Sequence, residues 1–316
     1  MRDVVRLGTR KSDLARVQSK VVGDCLESEG FKVEWVFIQS EGDTNLKDPL
    51  YAMPSSGPGV FTKVLEKKLL DKEIDAAVHS LKDLPTVQPD GLSVVAVSER
   101  ESASDCVIYH PRLGSLQSLS DLAEGVCIGT SSLRREAMIL EKNPKATLVS
   151  LRGNVPTRVQ KVSEGKLDAV VLATAGINRL GLSLEGLGCL ALDPTQFVPA
   201  PGQGALAVEI RTEDLNRPWA KGLSRWNNAS ASECTAVERE ILNRMEGGCT
   251  LPLGVLCERI QTNLWKIYVF LGVKEDLPDG KRIWNRFIHF DFSAANRDTL
   301  VEKTVDHFRP FLSVRV

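Results

Sequence analysis

Two stretches of the chain follow the same plan, and this repeat constrains the fold more than any other feature. Each stretch begins with a strand-like segment that contains Gly-Thr, RLGTR at 6–10 and CIGTS at 127–131. Each closes on a second similar segment, KEIDAAV at 72–78 and GKLDAVV at 165–171. Strands that alternate with helical patterns predict parallel sheets. We therefore predict two similar α/β domains that bind ligands at the carboxyl ends of their strands.

The remaining sequence sets limits to these domains. At 316 residues the chain exceeds the usual length of one domain. We place residues 1–100 with 199–215 in domain 1 and residues 101–198 in domain 2. The apolar pattern of residues 216–316 predicts a helix over 232–245, strands over 253–259, 265–273 and 282–290, and a final helix over 296–308. This pattern indicates a small α+β domain 3.

A long irregular segment interrupts domain 1. Residues 41–60 are rich in Gly, Pro, Ser, Asn and Asp, and they exceed the ~12–15 residues that a loop without a function usually has in a compact domain. We predict a mobile active-site lid, with an unstructured surface insertion as the alternative. A helix over 61–72 and a buried strand over 74–78 follow.

Charge and cysteine content argue against several classes of protein. The 40 Lys and Arg are balanced by 41 Asp and Glu, so an anion site must come from local clustering and no general nucleic-acid surface is expected. The seven cysteines show no CxxC pair and no zinc-type spacing with histidine. No apolar run is long enough to span a bilayer. We expect a cytoplasmic protein without a metal, a nucleic-acid partner or a membrane segment.

Basic side chains concentrate at the predicted strand ends and turns. They are Arg10, Lys82, Arg134, Arg135, Arg152, Arg158 and Arg179. A guanidinium can bind a carboxylate or phosphate through two parallel hydrogen bonds, and Thr130, Ser131 and Ser132 add donors at a predicted helix N-terminus. We expect these groups to converge on one cleft whose ligand carries several negative charges. The alternative is that each is an ordinary solvated surface charge.

Asp83 follows Lys82 in the segment HSLKDLP, just past a predicted buried strand. Neighbouring cations can keep such a carboxylate ionised, and it could then stabilise positive charge that develops on a ligand. A lone Asp in a turn is more often a simple cap. The sequence alone does not decide between a charge-stabilising carboxylate and a turn cap.

Cys249 lies in a glycine turn, within EGGCTLPLG at 246–254. Such a turn can expose a thiol, which indicates a nucleophile or an attachment site. The alternative is a small buried hydrophobe, the role that we predict for the remaining cysteines. A cysteine hydrolase is poorly supported, because no histidine lies near Cys249 in the sequence.

Several segments together resemble the porphobilinogen deaminase family along nearly the whole chain. They are GTRKSDLA, VHSLKDLP, IGTSSLRRE, SLRGNVPTR, ATAGINRLGL, PAPGQGALAVE and EGGCTLPLG. The resemblance implies two α/β domains of the periplasmic-binding-protein type (type II) and a third domain that carries a dipyrromethane cofactor, thioether-linked to Cys249. It also implies a monomer that uses porphobilinogen and passes its product to uroporphyrinogen-III synthase. One departure is GPGVF at 57–61, where many members have a GKGLF-like segment.

The resemblance also assigns roles to residues at matching positions. Those expected to hold the carboxylates of the cofactor and the growing chain are Ser80, Lys82, Thr130, Ser132, Arg134, Arg135, Arg152 and Arg158. Arg10 and Arg179 would lie at the incoming substrate and, with Lys82 and Asp83, complete the catalytic set. Asp83 would contact pyrrole NH groups and stabilise the cationic azafulvene formed when porphobilinogen loses ammonia.

The implied activity is a transferase reaction in porphyrin biosynthesis. Four porphobilinogen molecules would condense head to tail on the dipyrromethane, and hydrolysis would release linear hydroxymethylbilane. The chief alternative is a non-enzymatic anion-binding clamp with the same two domains, because a fold does not fix a function.

Overall fold

The structure is a computed structural model that describes residues 4–39, 62–245, 251–276 and 282–312. The predicted lid at 41–60 and Cys249 lie outside the described residues. In chain order the strands are β1 (Val4–Arg10), β2 (Lys32–Ile38), β3 (Ala76–Ser80), β4 (Leu92–Val97), β5 (Asp105–Tyr109), β6 (Cys127–Gly129), β7 (Thr147–Val149), β8 (Ala169–Ala173), β9 (Gly188–Ala191), β10 (Leu206–Arg211), β11 (Leu253–Gln261), β12 (Leu264–Asp276) and β13 (Arg282–Ala294). The α-helices are α1 (Asp13–Ser28), α2 (Lys63–Leu70), α3 (Leu133–Lys142), α4 (Val155–Ser163), α5 (Thr174–Leu180), α6 (Pro218–Trp226), α7 (Ala229–Arg244) and α8 (Arg297–Leu312).

The first two domains are built on sheets of the same design. The first sheet has the order β2-β1-β3-β10-β4 and the second the order β7-β6-β8-β5-β9. In each sheet the first three strands are parallel and the fourth is antiparallel to its neighbours. The chain passes between the sheets twice, through residues 98–104 and 192–205, which we call the crossing segments. This confirms the predicted pair of α/β domains.

Equivalent glycines show why the repeat is visible in the sequence. A Cβ on Gly8 would lie 2.4 Å from Ile74 Cδ1, and a Cβ on Gly129 would lie 2.8 Å from Leu167 Cδ1. Ile74 and Leu167 occupy the same place in KEIDAAV and GKLDAVV. Because interiors are packed closely, each domain needs a glycine on the first of its parallel strands, β1 or β6, to make room for the apolar residue two positions before β3 or β8.

Equivalent aspartates follow those two apolar residues. Asp75 Oδ2 accepts a hydrogen bond from Arg6 N at 2.9 Å, and Asp168 Oδ2 accepts one from Cys127 N at 2.8 Å. In return, Asp75 N donates to Arg6 O at 2.8 Å and Asp168 N donates to Cys127 O at 3.0 Å. The same pair of contacts thus fixes the register between the first and third strands in both domains.

The third domain is a three-stranded antiparallel sheet in the order β11-β12-β13. One core joins this sheet to α7 and α8 through residues that include Ile241, Val255, Ile267, Leu300 and Phe308. This confirms the predicted small α+β domain. None of the helices in the described ranges combines the length and apolar character needed to cross a membrane.

Some element limits differ from the prediction for local reasons. The helix predicted over 61–72 is observed over Lys63–Leu70. It ends before Lys72, whose φ of 61° a right-handed helix cannot contain. The helix predicted over 232–245 begins at Ala229, because the Asn228 side chain accepts from Ala231 N and caps it. The strand predicted over 74–78 runs from Ala76 to Ser80.

Helix α6 has a place that the sequence did not indicate. Its Trp219, Ala220 and Leu223 pack in the same core as Val5 and Leu7 of β1. Pro218 stands in its first turn, where the missing N–H of proline costs nothing. The helix therefore covers the first sheet, although it follows the predicted start of domain 3 at 216, and the exact limits of the three domains stay a prediction.

Candidate active site

An open cleft of about 910 Å³ lies between the first and second domains. The first domain lines it with residues at the ends of β1 and β3, and the second domain lines it with residues after β7 and β8. These are carboxyl ends of parallel strands, where open α/β sheets bind ligands. The cleft is therefore where the sequence pattern predicted ligand binding.

Most of the predicted site residues line this cleft. They are Arg10, Ser80, Lys82, Asp83, Arg135, Arg152, Arg158 and Arg179. The repeat aligns Lys82 and Asp83 with Ala175 and Gly176 of the second domain, and these small residues line the cleft as well. The charged pair thus belongs to one domain only, and the other domain leaves space at the equivalent position.

Thr130 and Ser132 stabilise the local structure at the start of α3. Thr130 Oγ1 accepts from Ser132 N at 3.2 Å, and Ser132 Oγ accepts from Arg135 N at 3.4 Å as the cap of α3. Neither residue is among those that line the cleft. Their predicted contact with ligand carboxylates stays a prediction.

Asp105, the first residue of β5, binds both arginines of the predicted Arg134-Arg135 pair. Its Oδ2 accepts from Arg134 Nη2 at 2.8 Å, and its Oδ1 accepts from Arg135 Nη2 at 2.7 Å. Arg134 also donates to Val198 O at 2.7 Å, and Arg135 donates to Val171 O at 2.9 Å. Burial opposes the ionisation of Asp105, but the two guanidinium charges outweigh it and hold the pKa of Asp105 well below its ordinary value.

The two arginines differ in their access to the cleft. Arg134 is buried, lies outside the lining residues and has its guanidinium over the Phe197 ring. Arg135 is also buried yet reaches the lining. Arg135 is therefore the better placed of the two to meet a ligand, and the role predicted for Arg134 stays a prediction.

We expect Asp105→Asn to lower the free energy of unfolding by about 3–5 kcal/mol, because it leaves two buried guanidinium groups without their counter-ion. Denaturant unfolding at neutral pH measures this loss. The depressed pKa means that Asp105 stabilises the fold above its unfolded pKa, near 3.9, and that the contribution fades as pH falls below that value.

The matched control is Asp306→Asn, which changes an exposed carboxylate paired with Arg309 on α8. Its effect should stay within about 0.5 kcal/mol. If Asp105→Asn is as stable as the control, Asp105 is not the counter-ion that holds the pair.

Gln203, in the second crossing segment, connects Asp105 to Lys82. Its Nε2 donates to Asp105 Oδ1 at 2.9 Å and to Ala103 O at 2.7 Å, and its Oε1 accepts from Lys82 Nζ at 3.3 Å. Burial lowers the pKa of Lys82 to about 8, while the negative charge of Asp83 opposes the change. Lys82 therefore lies where a ligand carboxylate would favour its charged form.

Arg158, on α4, lies among other cations. Burial lowers the pKa of Arg158 to about 10, and the positive charges of Arg135 and Arg152 add to the effect. Its Nε donates to Gly153 O at 2.8 Å. Because like charges disfavour one another, an anion bound beside Arg158 would relieve this repulsion.

Arg179 comes from α5 and reaches the second crossing segment. Its Nη2 donates to Gly204 O at 2.6 Å. Burial lowers the pKa of Arg179, and the negative charge of Glu101 opposes the change. Arg179 thus lines the cleft while it is oriented by a main-chain carbonyl between the domains.

Fold and cleft together define a protein with two α/β domains, whose interdomain site suits a ligand with several carboxylates, and a smaller third domain. Comparison with known protein families identifies the family to which the chain belongs. Residues 5–217 match the family described as "Porphobilinogen deaminase, dipyromethane cofactor binding domain", and residues 232–281 match "Porphobilinogen deaminase, C-terminal domain". The chain belongs to the porphobilinogen deaminase family. The first description supports the predicted enzyme and does not support the anion-binding clamp.

Individual relatives agree with this assignment. A probable porphobilinogen deaminase of Methanocella arvoryzae is 41% identical over 256 residues, covering 81% of this chain and 80% of the relative. Porphobilinogen deaminase of Oceanobacillus iheyensis is 41% identical, with 80% of each chain covered. That of Campylobacter concisus is 38% identical over 278 residues, covering 87% of this chain and 85% of the relative.

Proposed function

We propose that this chain joins four porphobilinogen molecules head to tail in the interdomain cleft, with loss of ammonia at each step. The chain grows on a dipyrromethane attached to Cys249, and hydrolysis then releases linear hydroxymethylbilane. The observation that carries the proposal is a cleft lined by cations from both domains, with Asp83 beside Lys82. Family membership supports the same reaction.

The residues of the cleft fit a dipyrromethane that bears carboxylate side chains. Burial lowers the pKa values of Lys82, Arg158 and Arg179, and neighbouring arginines lower those of Lys82 and Arg158 further. A polycarboxylate would therefore offset an existing accumulation of positive charge. When bound, the dipyrromethane supplies the nucleophilic pyrrole carbon to which the first substrate is joined. Cys249 is the proposed attachment residue, because the family resemblance places the thioether in the EGGC segment.

The chain's own residues bind, orient and stabilise charge. In the proposal Arg135, Arg152 and Arg158 hold carboxylates through paired hydrogen bonds, with Ser80, Lys82, Thr130, Ser132 and Arg134 as the other proposed holders. Arg10 and Arg179 hold the carboxylates of the incoming porphobilinogen. Guanidinium groups so arranged would oppose a developing cation, and for that reason the cleft needs a carboxylate at the reacting carbon.

Asp83 is the proposed catalytic carboxylate. It follows β3 in a short 3₁₀ turn, Leu81–Asp83, and lines the cleft. When the carbon–nitrogen bond of protonated porphobilinogen breaks, the ammonium group leaves as ammonia with the bonding electrons, and its positive charge passes to the methylene carbon and the pyrrole ring. A fixed negative charge beside the ring stabilises the charge in this new position more than on the departing nitrogen, which accelerates the step.

Ammonia release tests the function. The purified chain is incubated with porphobilinogen, and ammonia and hydroxymethylbilane are measured in the same sample. We expect four ammonia molecules for each tetrapyrrole released. Porphobilinogen that binds without releasing ammonia would contradict the proposal and favour the anion-binding clamp.

Lys82 gives the reaction a predicted pH dependence. Burial lowers the pKa of Lys82 to about 8, and the carboxylates of the attached cofactor would raise it again. Because kcat/KM reports the ionisation of the free, cofactor-bearing enzyme, we expect kcat/KM to fall at a pH above about 8, where Lys82 becomes neutral and attracts carboxylates less. Lys82→Arg keeps its charge at higher pH, since the guanidinium pKa is above about 12. The alkaline fall should therefore move upward by at least about one pH unit. An alkaline fall at the same pH in this variant would assign it to another group.

We also propose that the chain acts in the cytoplasm as a monomer and that uroporphyrinogen-III synthase takes its product. The family resemblance supports these assignments, and light scattering on the purified chain tests the monomer. A stable dimer at low micromolar concentration would contradict it.

A further inference from the structure

Arg239 of helix α7 binds the main chain of the turn that carries Lys82 and Asp83. Its Nη1 donates to Leu84 O at 2.9 Å and to Leu81 O at 3.2 Å, and its Nη2 donates to Pro85 O. The three carbonyl groups lie on both sides of the charged pair in the sequence. One guanidinium from the third domain therefore holds both ends of the turn.

This arrangement leaves the charged group of Arg239 half-buried. Burial lowers the pKa of Arg239 to about 10, and the negative charge of Glu209 opposes the change. Hydrogen bonds from a charged donor are stronger than those between neutral groups, and their loss leaves the partner carbonyls unsatisfied. The rigid fork of a guanidinium also fixes the relative positions of its acceptors, which a lysine ammonium does not do.

The opposite side of the turn is packed as well. Gly202, in the second crossing segment, has a φ of +75°, and a Cβ there would lie 3.0 Å from Leu81 Cγ and 3.3 Å from Lys82 N. Glu238, the neighbour of Arg239 on α7, accepts from Gly202 N at 2.7 Å. The turn is thus enclosed between α7 and a segment that α7 itself holds.

Helix α7 continues from Arg239 to Arg244, and Cys249 follows five residues later in the sequence. The same helix therefore leads to the proposed cofactor attachment and holds the turn of the proposed catalytic carboxylate. We infer that Arg239 is a positioning residue, which sets the place of Asp83 relative to the third domain through the carbonyl groups of Leu81, Leu84 and Pro85. The inference rests on the function proposed for Asp83.

The main test is a double-mutant cycle between Arg239→Gln and Asp83→Glu, followed by kcat and KM for porphobilinogen. Small displacements of a reacting group can cost up to about a hundredfold in rate. We expect Arg239→Gln alone to lower kcat about tenfold with KM changed less than about twofold. In the Asp83→Glu background, where the carboxylate is already displaced, the same change should cost less than about twofold in kcat.

The controls separate positioning from general damage. Arg309→Gln removes an exposed arginine of the third domain and should leave kcat unchanged in both backgrounds. Intact mass should show the cofactor attached in every variant, and all assays are run well below the melting temperature. If Arg239→Gln does not fold, Arg239→Lys replaces it in the same cycle, with a smaller fall in kcat expected.

Two further outcomes distinguish the inference from the proposed function. Equal factors for the Arg239 change in both backgrounds would overturn the inference, because the residue would then act independently of Asp83. Wild-type kcat in the Arg239 variants, with Asp83→Glu slow, would also overturn it and leave the proposed function standing. Wild-type kcat in Asp83→Glu would remove the proposed role of Asp83 itself.

Discussion

Asp83→Asn should lower kcat by about 10²–10³-fold, the size of effect seen when one preorganised electrostatic group is removed from an active site. The change keeps the shape of the side chain and removes its charge. Because the other charged residues that line the cleft are eight Lys and Arg and a single carboxylate, Asp13, the cation formed on loss of ammonia would meet an environment that repels it. KM should change much less, since the arginines that hold the carboxylates are untouched.

The control for this prediction is Asp90→Asn, which changes an exposed aspartate of the same domain. It should turn over like the unchanged chain. Intact mass should show the cofactor still attached to the Asp83 variant, so that lost turnover cannot be ascribed to a missing primer. A variant with attached cofactor and normal kcat would exclude Asp83 as the stabilising carboxylate.

Cys249→Ser should abolish turnover. The proposed attachment is a thioether, which forms from a thiolate, and a serine hydroxyl is a far weaker nucleophile at neutral pH. Without a primer the first porphobilinogen has no partner to join. We expect product formation below detection and an intact mass equal to that of the sequence.

Cys189→Ser is the matched control, because Cys189 is an exposed thiol in β9. Its turnover and its cofactor mass should be unchanged. Turnover in Cys249→Ser at more than a few per cent of normal would mean that another residue carries the primer.

The fold was predictable where the same local contacts occur in both α/β domains and leave similar sequence segments. Gly8 and Gly129 had to be small, and Asp75 and Asp168 bind the first strand of each domain, so the two segments kept similar sequences. Helix α6 was missed because its packing partners, including Val5, are more than two hundred residues away. Periodicity reports on neighbours in sequence and not on such contacts.

The cysteines show the same limit. Cys106, Cys234 and Cys257 are buried, as predicted, whereas Cys25 and Cys127 are only half-buried. The prediction was wrong for Cys189, which is exposed because β9 is an edge strand whose alternate residues face outward. An apolar strand pattern indicates a face, but it does not tell whether another element covers it.

The candidate site was predictable in its cations and not in the residues that support them. Arg10, Lys82 and Asp83 were predicted as site residues because they follow predicted strands, and all three line the cleft. Asp105, Gln203 and Arg239 carry no local signal, because each acts through partners distant in sequence. Gln203 lay within the PAPGQGALAVE segment, but only the structure connects it to Lys82 and Asp105.

The most direct test of the account is the intact mass of the wild-type chain before and after addition of limiting porphobilinogen. We predict a purified protein heavier than its sequence by two pyrrole units, and new species that increase by one pyrrole unit at a time as substrate is added. A chain with the mass of its sequence in both samples would contradict the covalent primer, and with it the assignment of Cys249 and of the cleft to stepwise assembly.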